Sequence, residues 1–169
     1  MKITTLFFGA HRLYTGSMKA VIAHYPPLRP VRVQYAAWLA TGMLVLMLLA
    51  QLFSFENFAS ILALVLAYND QQLVAISTAL VTAAELFALP YLLGMKLSSL
   101  MRVLSAALGG AVVLFWLFTS LTNAHAENSA LFGDTLALPG GIIAVLWSLV
   151  LASAYVYVVI HERRRAAAS

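Results

Sequence analysis

The sequence predicts an all-α integral membrane protein, a four-helix transmembrane bundle with an N-terminal amphipathic helix and a short outer helix that is interfacial or re-entrant. Of the 169 residues, 63% are hydrophobic and only 9% are charged, whereas soluble domains have roughly 45–50% apolar and 25% charged residues. Four apolar segments reach the length of about 20 residues that a bilayer requires. The basic residues flank these segments on what would be one side of the membrane.

The chain has no cysteine and a net charge of +4 at pH 7. The absence of cysteine excludes disulfides, thiol redox chemistry and thiolate metal ligands within this chain. The basic residues flank predicted spans, so the positive charge follows the positive-inside rule, and we expect no nucleic-acid partner. Any redox role would require a bound cofactor or a partner protein.

Residues 1–33 are predicted to form a cytoplasmic amphipathic helix followed by a proline-rich linker. Apolar side chains such as Phe7 and Tyr14 fall on one side of a helical wheel, and Arg12 and Lys19 fall on another. This pattern is typical of a helix that lies on a membrane surface. Packing of the same helix against a partner subunit is the alternative. The prolines of the YPPLRP stretch then end the helix.

The following segment, residues 34–161, is predicted to form the bundle. Its spans cover about residues 34–55, 72–95, 100–121 and 142–160. Tyr35 and Trp38 open the first span, at the depth where aromatic rings favour the headgroup boundary. Residues 57–69 are apolar but too few to cross the bilayer, so we expect them to lie in the outer interface or to re-enter the bundle.

The distribution of charge predicts the orientation. All ten lysine and arginine residues lie on or near one side, and residues 162–169 form a basic tail on that side. Four of the six acidic residues lie on the other side, namely Glu56, Asp70, Glu127 and Asp134. The positive-inside rule therefore predicts a multi-pass membrane protein with both termini in the cytoplasm.

The third span contains two pairs of small residues four positions apart, Ser105 with Gly109 and Ala106 with Gly110. Small side chains at this spacing let two helix backbones approach closely in a bilayer. The pattern indicates helix packing and not catalysis.

The second span contains Glu85, the one acidic residue within an otherwise apolar membrane-length segment. Thr78, Thr82 and Glu85 are spaced i, i+4, i+7 and share one helix face, and Pro90 frees the carbonyl of Leu86. Two interpretations are open. The preferred one is that Thr82 and a protonated Glu85 hydrogen-bond to another helix. The other is a proton or ligand site, for which a quinone or a lipid is the candidate ligand.

Arg102, near the inner end of the third span, is the candidate counter-charge for Glu85. Its side chain is long enough to reach inward, and the alternative is that it extends to lipid phosphates. In the outer loop, His125, Glu127 and Asp134 lack any metal-ligand spacing. We therefore expect no metal site.

The order of these features resembles the DoxX-like superfamily of small four-helix bacterial membrane proteins, and especially its MauE-like branch. The resemblance covers roughly residues 55–157, through the stretches FENFASILALVLAY, AAELFALPYLLG, LSSLMR and LFGD. It implies an association with disulfide or redox maturation of a partner, and in other DoxX-like proteins with quinone-linked sulfur-oxidising complexes. Where the MauE-like branch commonly has a Cys-Phe-Gly motif, this chain has Leu131, Phe132 and Gly133, so the thiol chemistry is not carried over.

Three functions are compatible with these features. The preferred one is a non-catalytic accessory or assembly subunit of a membrane-bound, redox-linked complex, with a larger membrane protein or a second copy as partner. The alternatives are an oxidoreductase component that binds a quinone or other apolar ligand at Glu85, and a small proton-coupled transporter. No residue is assigned a catalytic role. The candidate partner contacts in the outer loop are Phe132, Gly133, Asp134 and His125.

Overall fold

The structure, a computed structural model, describes residues 29–66, 70–123, 125, 128–135 and 141–168. The predicted amphipathic helix within residues 1–33 lies outside this part of the chain, except for the last residues of its linker. The described residues form five helices and no strand: α1 Val31–Phe53, α2 Phe55–Leu66, α3 Gln71–Leu92, α4 Ser99–Thr122 and α5 Ile142–Ala168. Four of them, α1, α3, α4 and the Ile142–Arg165 part of α5, are long and apolar enough to cross a membrane. The predicted all-α membrane bundle is confirmed.

The last helix is longer than the sequence predicts. The predicted span ends at residue 160 and is followed by a separate tail, whereas α5 continues without a break to Ala168. The residues beyond the apolar part are mainly glutamate, arginine and alanine, which are good helix formers. The helix can therefore continue past the apolar segment, and Glu162 keeps a fixed position on α5.

The short outer helix is present as α2. It begins directly after Ser54, which ends α1. Phe58 and Leu62, four residues apart, are fully buried, while Leu64 on another face is 81% exposed. One face of α2 thus packs on the bundle, chiefly against α3, and the predictions of an interfacial or a re-entrant helix both stay open.

The outer surface of the bundle is apolar. Large hydrophobic side chains project outward from every spanning helix, including Leu46 of α1, Leu80 of α3, Phe118 of α4 and Leu149 of α5. In water such a surface would promote aggregation, whereas lipid tails solvate it. The helices therefore fit a bilayer environment. We call the end of the bundle that contains Arg29 and Arg102 the basic end, and the opposite end, with residues 128–135, the loop end.

The small residues of α4 pack against Tyr155 of α5. A Cβ atom added at Gly109 would lie 2.9 Å from the Tyr155 ring and hydroxyl, and that hydroxyl donates a hydrogen bond to the carbonyl of Ala106. Tyr155 is only 4% exposed, so its ring has little room to move. The close approach that the small-residue spacing predicts is therefore an approach of an aromatic ring to a helix backbone.

We expect Gly109→Ala to lower the free energy of unfolding by about 1–3 kcal/mol, because an added methyl group overpacks a well-filled interior. Gly110→Ala is the matched control, since a Cβ at Gly110 would lie 3.8 Å from the nearest Tyr155 atom, in ordinary contact. The measurement is the thermal unfolding of both variants in mild detergent. Equal effects at the two glycines would contradict this packing.

Candidate functional site

Glu85 lies on the inner face of α3 and is fully buried. The other buried residues of this face are mostly small, including Thr78, Ala84 and Ala88, which leaves room for the carboxyl group and its partners. The Oε1 atom of Glu85 accepts a 2.6 Å hydrogen bond from the indole nitrogen of Trp116 on α4. The same oxygen lies 3.4 Å from the side-chain nitrogen of Gln51 on α1. One carboxyl oxygen therefore links three helices.

Gln51 extends this cluster to the loop end. Its side-chain nitrogen also donates a 3.0 Å hydrogen bond to the carbonyl of Leu131. Leu131 is fully buried, and the Phe132 ring packs edge-on against Trp147 of α5 at a centroid distance of 5.1 Å. Within residues 128–135, positions 129–133 are buried at the loop end, and the Leu131 carbonyl connects them to the Glu85 cluster through Gln51. We call residues 128–135 the closing segment.

A tight turn gives the closing segment its shape. Ala130 and Gly133 both have positive φ, 61° and 58°, a conformation that favours glycine. The Asn128 side chain stabilises the turn, because it accepts from the Ala130 amide and donates to the Gly133 carbonyl, each at 3.0 Å. A Cβ at Gly133 would also overlap the Ser54 hydroxyl, and the overlap and the positive φ together favour glycine at this position.

The closing segment also caps the end of α1. The Asp134 amide donates to the Ser54 hydroxyl at 3.0 Å, and the Thr135 hydroxyl donates to the Ala50 carbonyl at 2.7 Å. The last carbonyls of a helix have no partner within the helix. Residues far along the chain supply these bonds, and the end of α1 and the closing segment are therefore fixed together.

The sequence offers Thr78, Thr82 and Arg102 as candidates for a site with Glu85. In the structure these three residues lie in different environments. The Thr78 hydroxyl bonds to the Val74 carbonyl of its own helix at 2.8 Å, whereas the Thr82 hydroxyl is buried and has no partner among the described residues. Arg102 pairs with Glu162 at 2.5 Å and not with Glu85. Arg102 therefore belongs to the basic end.

The proline break in α3 is filled by α4. The Ser105 hydroxyl donates to the Phe87 carbonyl at 2.5 Å and accepts from the Tyr91 amide at 3.2 Å. An uninterrupted helix would pair this carbonyl and this amide with each other. A side chain from a neighbouring helix thus bridges the break one residue past the predicted position, because Ser105 bonds to the carbonyl of Phe87 and the acceptor predicted beside Pro90 is the carbonyl of Leu86.

The four residues of the outer loop that are predicted to contact a partner fall into a buried pair and an exposed pair. Phe132 and Gly133 are buried within the chain, whereas His125 and Asp134 are exposed. Asp134 accepts a 2.8 Å hydrogen bond from the side chain of Asn57. The exposed His125 and Asp134 are available to a partner, and their role stays a prediction.

A second polar cluster joins four segments at the basic end. Arg29 donates to Glu162 on α5 at 2.6 Å, to the Tyr91 carbonyl at 2.7 Å, and to the Leu92 carbonyl. Its guanidinium group therefore caps the last turn of α3. Glu162 uses its second oxygen to accept from Arg102 of α4. We call Arg29, Arg102 and Glu162 the basic-end clamp.

Two members of the Glu85 cluster, Trp116 and Gln51, are absent from the sequence-based predictions. Tryptophan in a membrane helix is usually interfacial, but Trp116 is fully buried within α4. Gln51 is a single amide in an apolar stretch, and an unpaired amide in hydrocarbon is costly. This cost marks Gln51, from the sequence alone, as a residue that needs a hydrogen-bond partner. It does not identify Glu85 and Leu131 as the partners.

The electrostatics of the Glu85 cluster favour a neutral acid. Both groups that donate to Glu85 are uncharged, and the cations Arg29 and Arg102 pair elsewhere. Burying a carboxylate without a cation costs far more than burying the protonated form. Within the described part of the chain, no group of three or more His, Cys, Asp or Glu residues could hold a metal ion.

No protein-family model, curated protein or solved structure matches this chain. The chemistry that the Glu85 cluster can perform follows from its own geometry. It provides a neutral hydrogen-bonded brace between α1, α3, α4 and the closing segment, with one carboxyl oxygen, Oε2, that has no partner among the described residues.

We expect Trp116→Phe to lower the free energy of unfolding by about 1–3 kcal/mol, the cost of leaving a buried acceptor without its donor. Trp147→Phe is the matched control, because the indole nitrogen of Trp147 contacts only the sulfur of Met47, at 3.2 Å, and a thioether is a weak acceptor. Thermal unfolding in mild detergent compares the two variants. A Trp147→Phe effect as large as that of Trp116→Phe would refute the brace.

We expect Arg29→Ala to lower the free energy of unfolding by about 1.5–3 kcal/mol, the range for hydrogen bonds to charged groups. Arg29→Lys should recover only part of this loss, because a lysine cannot reproduce the planar array of donors. Arg32→Ala is the control, since Arg32 is exposed. If Arg32→Ala proves as costly as Arg29→Ala in the same unfolding assay, the clamp has no specific role.

Proposed function

We propose that this protein is a non-catalytic accessory or assembly subunit of a larger membrane-bound complex in the bacterial inner membrane. The observation that supports this proposal best is the use of Glu85. The one carboxyl group buried among the spans joins α1, α3, α4 and the closing segment through Trp116 and Gln51. A group that braces four segments is suited to hold a rigid shape that a partner recognises.

The orientation that we propose places the basic end in the cytoplasm. Arg29 and Arg102 meet at that end through Glu162, and Arg163, Arg164 and Arg165 follow on α5. Excess lysine and arginine beside short loops favours the cytoplasmic side. The exposed residues His125 and Asp134 at the loop end then face the periplasm, where a partner with an extracytoplasmic domain can reach them.

A redox-linked complex is the kind of partner that the DoxX-like resemblance suggests. Without cysteine, the chain itself would contribute no thiol to such chemistry. Its contribution would be to position or stabilise the partner. A larger membrane protein fits this role better than a second copy, because the resemblance implies service to a different protein.

The two other candidate functions need an accessible Glu85. A quinone or a transported proton would have to reach a side chain that is fully buried and connected to the buried closing segment through Gln51. Access would require the closing segment to leave its bonds to Gln51 and Ala50. The subunit role needs no such opening, and we therefore place it first.

The test is photo-crosslinking in native membranes, with a crosslinking amino acid at His125. We expect one discrete protein adduct, because His125 is exposed at the loop end. The same amino acid at Leu149, on the apolar outer surface of α5, is the control for nonspecific capture. The adduct should persist in Glu85→Gln, because an amide oxygen still accepts from Trp116.

The opposite result is also informative. If neither position yields an adduct and the protein runs as a monomer from native membranes, the subunit role is refuted. If Glu85→Gln instead abolishes a measurable transport or electron-transfer activity while the fold is kept, the ligand or proton role replaces it.

A further inference from the structure

Four buried polar atoms have no hydrogen-bond partner among the described residues. They are Gln51 Oε1, Thr82 Oγ1, Glu85 Oε2 and Ser129 Oγ. Gln51 and Glu85 are fully buried, and Ser129 is 4% exposed. Such atoms are rare in folded proteins because each one gives up its bonds to water without replacement. Four in one bundle therefore call for a common explanation.

The four atoms belong to segments that meet at the Glu85 cluster. The Gln51 nitrogen lies 3.4 Å from the Glu85 carboxyl and 3.0 Å from the Leu131 carbonyl. Thr82 precedes Glu85 by three residues, a spacing that places two side chains side by side on a helix. Ser129 is two residues before Leu131 in the same tight turn. The unpartnered atoms thus belong to α1, α3 and the closing segment, which the Gln51 side chain joins.

The two oxygens of Glu85 are not equivalent. Oε1 accepts from both Trp116 and Gln51, and Oε2 has no partner. In a neutral carboxylic acid the carbonyl oxygen accepts and the hydroxyl oxygen donates. This asymmetry assigns the carbonyl to Oε1 and the hydroxyl to Oε2, so the cluster holds a buried O–H donor that needs an acceptor.

We propose that Gln51, Thr82, Glu85 and Ser129 bind one internal water molecule, which is the hydrogen-bond partner of Glu85 Oε2. The water accepts from the Glu85 hydroxyl and from one of the two alcohol side chains, and it donates to the Gln51 oxygen and to the other alcohol. Buried waters typically make about three such bonds. One molecule thereby satisfies all four atoms and leaves the proton on Glu85.

A monovalent cation fits the same atoms less well. It would bind the oxygens only with Glu85 ionised, and it accepts no hydrogen bond, whereas the water accepts one from the Glu85 hydroxyl and one from an alcohol side chain. Two N–H groups already donate to Glu85 Oε1. Both bonds form whether the carboxyl group is neutral or charged, so they do not require an ionised Glu85. Water supplies both donors and acceptors, which is what this set of side chains lacks.

The proposed water gives the closing segment a second role. The water would connect Glu85 to Ser129 of that segment, so the proton of Glu85 could exchange through a hydrogen-bonded path when the segment loosens. This inference does not depend on the subunit role, because a braced bundle can hold a water with or without a partner.

The experiment is X-ray radiolytic footprinting of the full chain in lipid nanodiscs, which oxidises side chains next to bound water. We expect oxidation of Trp116 although it is fully buried, while the equally buried Phe58 in its apolar surroundings stays unmodified. When the protein is mixed with oxygen-18 water shortly before exposure, Trp116 should incorporate the label later than the exposed His125. The delay reports slow exchange of an internal molecule.

Three variants make the result specific. Thr82→Val and Ser129→Ala each remove one partner of the water, and both should reduce the oxidation of Trp116 toward the level of Phe58. Thr119→Val is the matched control, because the Thr119 hydroxyl is already bonded to its own helix, and it should leave Trp116 oxidation unchanged. Ser129→Ala keeps the test available if Thr82→Val does not fold.

The proposal is overturned by any of three findings. One is Trp116 oxidation no higher than that of Phe58 in the wild-type protein. Another is a high-resolution crystal structure in which Glu85 Oε2 bonds directly to Gln51 Oε1 with no density between them. The last is a thermal stability that depends on sodium and is lost when choline replaces it, which would assign the site to a cation.

Discussion

The hydrogen bond from the Trp116 indole to the Glu85 carboxyl is the constraint around which the bundle is arranged. In a bilayer no solvent is available to satisfy a polar group, so Glu85 must find its partners within the protein. Trp116 supplies the strong bond, and Gln51 connects the same oxygen to α1 and Leu131. The rotation of three helices about their own axes is therefore fixed together. Apolar contacts alone could not fix this rotation, because leucine side chains and lipid chains are almost equally apolar.

The two ends of the bundle use different kinds of polar contact, and the difference follows from access to water. The Glu85 cluster, deep among the spans, is built from neutral donors. The clamp of Arg29, Arg102 and Glu162 uses full charges, and the Arg102 side chain is 49% exposed. Ion pairs are tolerated where water can still reach one partner, and they become costly where it cannot. The chain thus places its charges at the boundary and neutral hydrogen bonds inside.

What the sequence could predict depends on how local each signal is. The bilayer imposes span length and hydropathy on every membrane helix, so four spans follow from the sequence alone, and the cost of a buried carboxyl predicts that Glu85 points inward. Its partners depend on which helices become neighbours, which no local pattern reveals. Arg102 illustrates the limit, because the sequence offers Glu85 and the lipid phosphates as its partners, and the structure pairs it with Glu162. Only the uninterrupted continuation of α5 brings Glu162 within its reach.

The bonds between the closing segment and α1 have a consequence for the order in which the protein matures. Gln51 and Ala50 bond to residues that lie 80 and 85 positions later in the chain. The loop end of α1 therefore inserts into the membrane long before its caps have been synthesised. Until then the Ala50 carbonyl has the Ser54 hydroxyl as its side-chain partner, and the Gln51 amide lacks its bond to Leu131 and requires water or lipid headgroups. Helix α1 is thus completed only after the closing segment has been synthesised, and a partner or insertion factor that arrives earlier would meet the loop end of α1 without these bonds.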